Sequence, residues 1–215
     1  MTKNSIIVIL ICLITNTSFS QDKYFEGSIT FMIDGKYKNE QIPEEYFKKI
    51  IGDTQIFYYK NNKYKSVLNG KAKSEVIYPG NDTLFIKYQT MPELYYIPVN
   101  RLDENLVSIE ITKDSEKIDG YNCDLIEIKS DKGTRKIYFN NNFKLNPSYF
   151  TNHKYEFWAL FLEKSNGCIA IKYTFDLEEY YMEATMVDFK KENLNDSIFN
   201  IPMNLKKVAV PINGN

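Results

Sequence analysis

The chain has 215 residues, 43% of them hydrophobic and 15% aromatic, and its 27 basic and 28 acidic side chains leave a formal charge of -1. Acids and bases alternate along it, so neither nucleic acid nor an anionic membrane surface has an electrostatic reason to bind. The compositional outlier is aromatic: 17 Tyr and 14 Phe stand against a single Trp, residue types that suit pleated, half-buried strands and carry large apolar area into a core.

Residues 1–20 read as a secretory signal peptide. Lys3 supplies a positive start, Ile6 to Ile14 an apolar run, and Ser18-Phe19-Ser20 a small-x-small cleavage site before Gln21. The run is shorter than the roughly 20 residues of a membrane-spanning helix, so the mature protein is expected to be exported, periplasmic or secreted, and not membrane-spanning. Cys12 lies inside this run behind Leu10 and Ile11 rather than behind small residues, and is read as part of the leader. Cleavage leaves 195 residues with a charge of -2, because the leader holds Lys3 and no acid. That length suits one β-rich domain over residues 21–205, followed by a polar tail over 206–215.

The mature chain opens on a strand: Ile29, Phe31 and Ile33 alternate with Ser28 and Thr30. Residues 43–52 carry helix signals, with Pro43 at the start, Glu44 and Glu45 in the first turn, Lys48 and Lys49 later, and Gly52 at the end. Strands are then predicted over 54–60, 63–68, 74–78, 83–88, 94–98, 106–112, 122–129 and 135–139. Between them lie the turn-forming Asn61-Asn62, Pro79-Gly80-Asn81-Asp82, Met91-Pro92 and Asp131-Lys132-Gly133. This spacing describes an antiparallel meander. Residues 147–162 break it, and Tyr155 to Leu162 form an apolar run that fits either a short helix or a buried strand. Strands resume over 168–175 and 180–189. Asn81-Asp82-Thr83 and Asn195-Asp196-Ser197 match Asn-x-Ser/Thr and are read as surface turns.

Few residues have the makings of chemistry. A Ser-His-acid or Cys-His site needs a histidine base, and the chain has only His153, read here as an exposed loop residue within Thr151-Asn152-His153-Lys154. The scattered cysteines and histidine do not suit a zinc site, no calcium-loop spacing occurs, and no glycine loop cradles phosphate. No catalytic residue, metal ligand or cofactor is therefore assigned, and the protein is expected not to be an enzyme. Cys123 and Cys168 remain after cleavage. Joined, they would close a loop of about 45 residues and contribute about 4 kcal/mol; as buried free thiols they would serve as small hydrophobes. Sequence leaves both open.

Ile118-Asp119-Gly120-Tyr121-Asn122-Cys123, followed by the strand Leu125 to Ile128 and the hairpin strand Lys136-Ile137-Tyr138-Phe139, resembles a segment shared by exported bacterial domains of the GLPGLI-type and DUF4412-type families, and Leu194-Asn195-Asp196-Ser197-Ile198-Phe199-Asn200-Ile201-Pro202 resembles the ending of the second family. The naming motif of the first family is absent, since residues 157–163 read FWALFLE. The resemblance implies a lipoprotein-carrier-like fold, an incomplete antiparallel β-barrel around an apolar cavity with short helices as a lid. On that reading Tyr95, Tyr96, Phe157, Trp158, Phe161 and Leu162 are candidate lining or lid residues, and the ligand is a lipid or acyl chain. The alternative is a module that meets another cell-envelope protein or a glycan through a sheet edge or aromatic face.

Overall fold

The computed structural model describes residues 24–72 and 74–211. The leader over 1–20 and the last residues of the tail lie outside that range. The described chain forms the strands β1 (Gly27–Tyr37), β2 (Thr54–Lys60), β3 (Lys63–Leu68), β4 (Ser74–Tyr78), β5 (Thr83–Tyr88), β6 (Leu94–Pro98), β7 (Leu106–Ile118), β8 (Tyr121–Ser130), β9 (Gly133–Lys144), β10 (Cys168–Leu177), β11 (Tyr180–Lys191) and β12 (Lys207–Ala209). Two short helices accompany them, α1 (Glu44–Ile50) and α2 (Trp158–Lys164).

All twelve strands belong to one sheet, in the order β12-β6-β5-β4-β3-β2-β1-β11-β10-β9-β8-β7. Two antiparallel meanders, β1–β6 and β7–β11, are joined where β1 pairs with β11 from Gly27↔Lys191 to Tyr37↔Tyr180. The ends do not meet: β7 is one edge, and the other is β12, which lies parallel to β6. The incomplete, mainly antiparallel barrel expected from the sequence is therefore the observed architecture.

Strand periodicity sets which side is inside. Ile29, Phe31 and Ile33 of β1 are buried while Met32 between them is half exposed, as the two-residue alternation of a pleated strand requires. The same inward face continues through Tyr59, Tyr64, Leu84, Ile97, Ile126, Ile137, Tyr173 and Ala184, and these belong to one core. A smaller cluster of Ile77, Phe85 and Leu94 sits on the opposite face, covered by Ile201 and Leu205 from the C-terminal segment. At the β2–β3 hairpin Asn61 takes a φ of 52°, a conformation that asparagine tolerates in tight turns. Asn62 then donates to the Gly80 carbonyl at 2.9 Å, tying this hairpin to the next. Both Asn-x-Ser/Thr segments are Asx turns: Asn81 accepts from the Thr83 amide at 3.0 Å and Asn195 from the Ser197 amide at 2.9 Å.

Seven residues are too few for a helix to persist alone, so α1 depends on what it touches. Its one buried residue, Phe47, packs against Tyr37 and Tyr180 at ring-centroid distances of 5.4 and 6.4 Å. Gly35 makes that seat: a Cβ there would lie 2.7 Å from the Phe47 ring and 2.6 Å from the Tyr181 carbonyl oxygen.

Cys123 and Cys168 are free and buried. They sit in β8 and β10 with β9 between. Two strand spacings are about 10 Å, beyond the ~7 Å that a disulfide spans between Cα atoms, so the bridge left open by the sequence is not made. Burial raises both thiol pKa values, which keeps them protonated and unreactive.

Replacing Phe47 by Ala should remove about 3–5 kcal/mol of stability, read as a lower urea midpoint. Amide exchange should show α1 losing protection before the strands.

Candidate functional site

The chain leaves the sheet after β9 and returns at β10, and the excursion between is a lid over the inward face. Its two ends are joined by the Leu145 amide, which donates to the Gly167 carbonyl at 2.8 Å. Asn146 accepts from the Ser148 amide at 3.1 Å and caps a 3-10 turn over Pro147–Phe150, whose Phe150 is buried. The amides of Lys154 and Tyr155 both donate to the Val99 carbonyl, at 2.7 and 2.9 Å, fastening the lid to the chain just after β6. Glu156 and Phe157 follow with φ of 52° and 60°. Two consecutive bulky residues in the left-handed region are a strained arrangement that surrounding structure must hold. The chain then enters α2, whose Phe161 and Leu162 are buried.

Beneath the lid lies a cavity of about 270 Å³, with walls drawn from β1–β5, β9–β11 and the lid. Aromatic rings make much of that wall in unbroken contact. Phe31 meets Phe57 edge-on at 5.9 Å, Phe57 stacks on Tyr59 at 5.6 Å, Tyr59 touches Tyr64 at 6.3 Å, and Tyr64 reaches Trp158 at 5.5 Å. Trp158 leads on to Phe161 at 6.1 Å. Polar groups enter at few points. Tyr173 Oη donates to Gln55 Oε1, and Gln55 Nε2 donates to Ser66 Oγ at 2.6 Å. Tyr64 Oη and His153 Nε2 share a hydrogen bond of 2.8 Å.

The charged corner of the cavity is built on Arg135, only 4% exposed. Its two terminal nitrogens each donate at 2.7 Å to the two oxygens of Glu104, and Ser130 Oγ donates to the same carboxylate at 2.5 Å. The guanidinium carbon lies 5.6 Å from the centroids of both Phe157 and Phe175, a cation–π contact on each. Glu156 also lines the cavity, and the residue as a whole is exposed. Enough protein surrounds its carboxyl for desolvation to raise the pKa, opposed by the positive charge of Arg135. Arg135 Nε, His153 Nδ1 and Trp158 Nε1 are buried and have no hydrogen-bond partner among the described residues. All three residues line this one cavity.

The residues singled out from the sequence are spread over different places. Trp158 and Phe161 line the cavity. Phe157 is buried against Arg135 behind the wall, and Leu162 belongs to the core under α2. Tyr95 packs on Tyr88 at 5.9 Å, beyond the cavity. Tyr96 faces the other way and packs with the smaller cluster, because neighbouring residues of a strand point to opposite faces. His153 is not the exposed loop residue expected. It is 1% exposed, since the turn at Pro147–Phe150 carries the segment inward while Thr151, Asn152 and Lys154 stay outside.

Glu104, Arg135 and Glu156 escaped sequence reading. A signal for Arg135 was present: it falls in phase with Ile137 and Phe139, on the inward face of its strand, and it is one of only two arginines in the chain. Nothing local marks Glu104 as its partner, 31 residues away. Among the described residues no three His, Cys, Asp or Glu side chains gather as a metal site.

No family model matches the chain, and no curated protein matches it. Among solved structures it is similar to lipoprotein LppX of Mycobacterium tuberculosis, at 11% identity and a TM-score of 0.36 over 79% of this chain and 89% of that one. It is also similar to a LolA superfamily protein of Nitrosomonas europaea, at 10% identity and a TM-score of 0.35 over 82% and 90%. Both likenesses are of low score and carry no functional argument.

Two outcomes follow for the buried polar groups. Glu104→Ala should cost about 3–5 kcal/mol by leaving Arg135 charged and unpaired, whereas Glu104→Met with Arg135→Met should recover most of that loss; urea unfolding measures both. Burial lowers the pKa of His153 from 6.5 to about 4. The unfolded chain therefore takes up this proton first as pH falls. Stability present above pH 6.5 is lost progressively down to about pH 4, by on the order of 3 kcal/mol. His153→Gln should flatten that part of the pH dependence in parallel unfolding curves.

Proposed function

We propose that this chain is an exported, non-enzymatic binding protein that holds an apolar ligand, a lipid or acyl chain, between the open barrel and its lid. The observation that carries this reading is the aromatic-walled cavity of about 270 Å³ beneath the 145–167 excursion. Engineered apolar cavities of about 150 Å³ already admit benzene, and small-molecule sites are mostly apolar with a few placed polar groups. The leader-like residues 1–20 support export. They also make the periplasm or the exterior the proposed location.

Binding is favoured over catalysis by the state of the polar groups. Both oxygens of Glu104 are taken by Arg135 and Ser130, and His153 Nε2 is held by Tyr64. A carboxylate pair or a histidine base free to meet a substrate would look different. The second reading, an envelope protein or glycan interaction module, draws on the edge strand β7, where Val107 is 69% and Ile111 45% exposed. Unpaired strand edges can accept a partner strand. A filled interior would have favoured that reading, and the interior is not filled.

Native mass spectrometry of the protein purified without detergent should show a lipid or acyl adduct that survives gentle desolvation. Ala170→Trp, which places an indole at the cavity wall, should abolish the adduct while leaving the far-ultraviolet circular dichroism unchanged. A bare mass that persists after incubation with envelope lipids would turn the search to the β7 edge.

A further inference from the structure

Resting on the apolar-ligand reading, we infer that the cavity selects its ligand by headgroup, with Glu156 and Arg135 accepting an amphiphile whose head is an uncharged hydroxyl or amide and rejecting a free fatty-acid anion. Among the described residues Arg135 is the one Lys or Arg side chain on the cavity wall, and its charge is already matched. Both terminal nitrogens face the Glu104 oxygens at 2.7 Å, and Phe157 and Phe175 hold the guanidinium plane from their ring faces. A carboxylate head entering this corner would be a buried anion without a counter-ion, which is costly in a site of this kind. His153 supplies no compensating charge, since burial keeps its imidazole neutral at pH 7.

What the corner offers is a donor and an acceptor. Arg135 is 4% exposed and its Nε–H, itself shielded from solvent, has no partner among the described residues, while Glu156 lines the same cavity and its carboxyl is felt electrostatically by Arg135. Trp158 Nε1–H, two residues along the lid, is a further unpartnered donor. A hydroxyl or amide can donate to the Glu156 carboxylate and adds no charge to the corner. A carboxylate only accepts, and an ammonium only donates. The backbone supports the placement: Glu156 and Phe157 hold φ of 52° and 60°. Within that left-handed pair Glu156 lines the cavity while its neighbour Phe157 packs on Arg135.

The test compares sodium palmitate with 1-monopalmitoylglycerol, equal in chain length, on the delipidated full protein at pH 8 and below the aggregation threshold of each lipid. Binding is measured by equilibrium dialysis for the wild type and for Glu156→Gln. The expected result is a monoglyceride Kd at least about tenfold below that of palmitate, the equivalent of about 1.4 kcal/mol, narrowing to within about threefold in Glu156→Gln. Equal affinity for the two lipids, tighter palmitate binding, or a preference that Glu156→Gln leaves unchanged would overturn headgroup selection and leave the apolar cavity reading standing. If neither lipid binds, the cavity reading itself fails and the selection fails with it. Glu156 is exposed, so the variant is expected to fold; an unchanged urea midpoint checks this.

Discussion

The pairing of β1 with β11 is the contact on which everything else rests. Each meander by itself is a sheet of neighbours in sequence, and each has an inward face with nothing opposite it. The ladder from Gly27↔Lys191 to Tyr37↔Tyr180 joins them edge to edge, so that Phe31, Phe57 and Tyr59 of one half look across at Ile137, Tyr173 and Phe175 of the other. The register shift between Thr30 and Phe31 in that ladder adds local twist at the seam. Without the seam no common concave face exists for a lid to cover.

The lid then turns a concave face into a cavity. Its anchoring is mostly backbone: Leu145 to Gly167 closes its neck, and Lys154 and Tyr155 grip Val99. This leaves the side chains of His153, Tyr155, Glu156, Trp158 and Phe161 free to form the cavity wall. It also explains why backbone strain collects at Glu156 and Phe157, the point where the chain must aim one side chain into the cavity and the next into the Arg135 pocket. A structure that buries an arginine between two phenylalanines and still supplies it with a bidentate carboxylate gains little net stability from the pair itself. Its contribution is placement, a fixed polar corner inside an otherwise aromatic space.

The strand edges are handled differently on the two sides. β12 covers one edge with a three-residue parallel pairing to β6. β7 leaves the other open for thirteen residues, with Lys113, Glu116 and Lys117 and a bulge near Asp114 in its second half, features that discourage edge-to-edge association. The exposed apolar residues Leu106, Val107 and Ile111 lie in its first half.

Much of the fold is written locally. Eleven of the strands follow from alternation and turn chemistry and α1 from its charges and flanking Pro43, because strand and helix periodicity are properties of a few adjacent residues; the apolar run over 155–162 leaves helix and strand open, and a lid is implied only by the family resemblance. The sequence by itself thus determined an aromatic-rich antiparallel meander with one short early helix and a later interruption. The tertiary structure alone decided which aromatic rings face a cavity, that His153 lies inside on Tyr64, 89 residues away, that Glu104 meets Arg135, and that Cys123 and Cys168 stay apart. Those outcomes depend on how far the sheet curves and on which strands are neighbours, and the β1–β11 seam that sets both joins residues more than 140 positions apart in the chain, a separation across which no local pattern carries information.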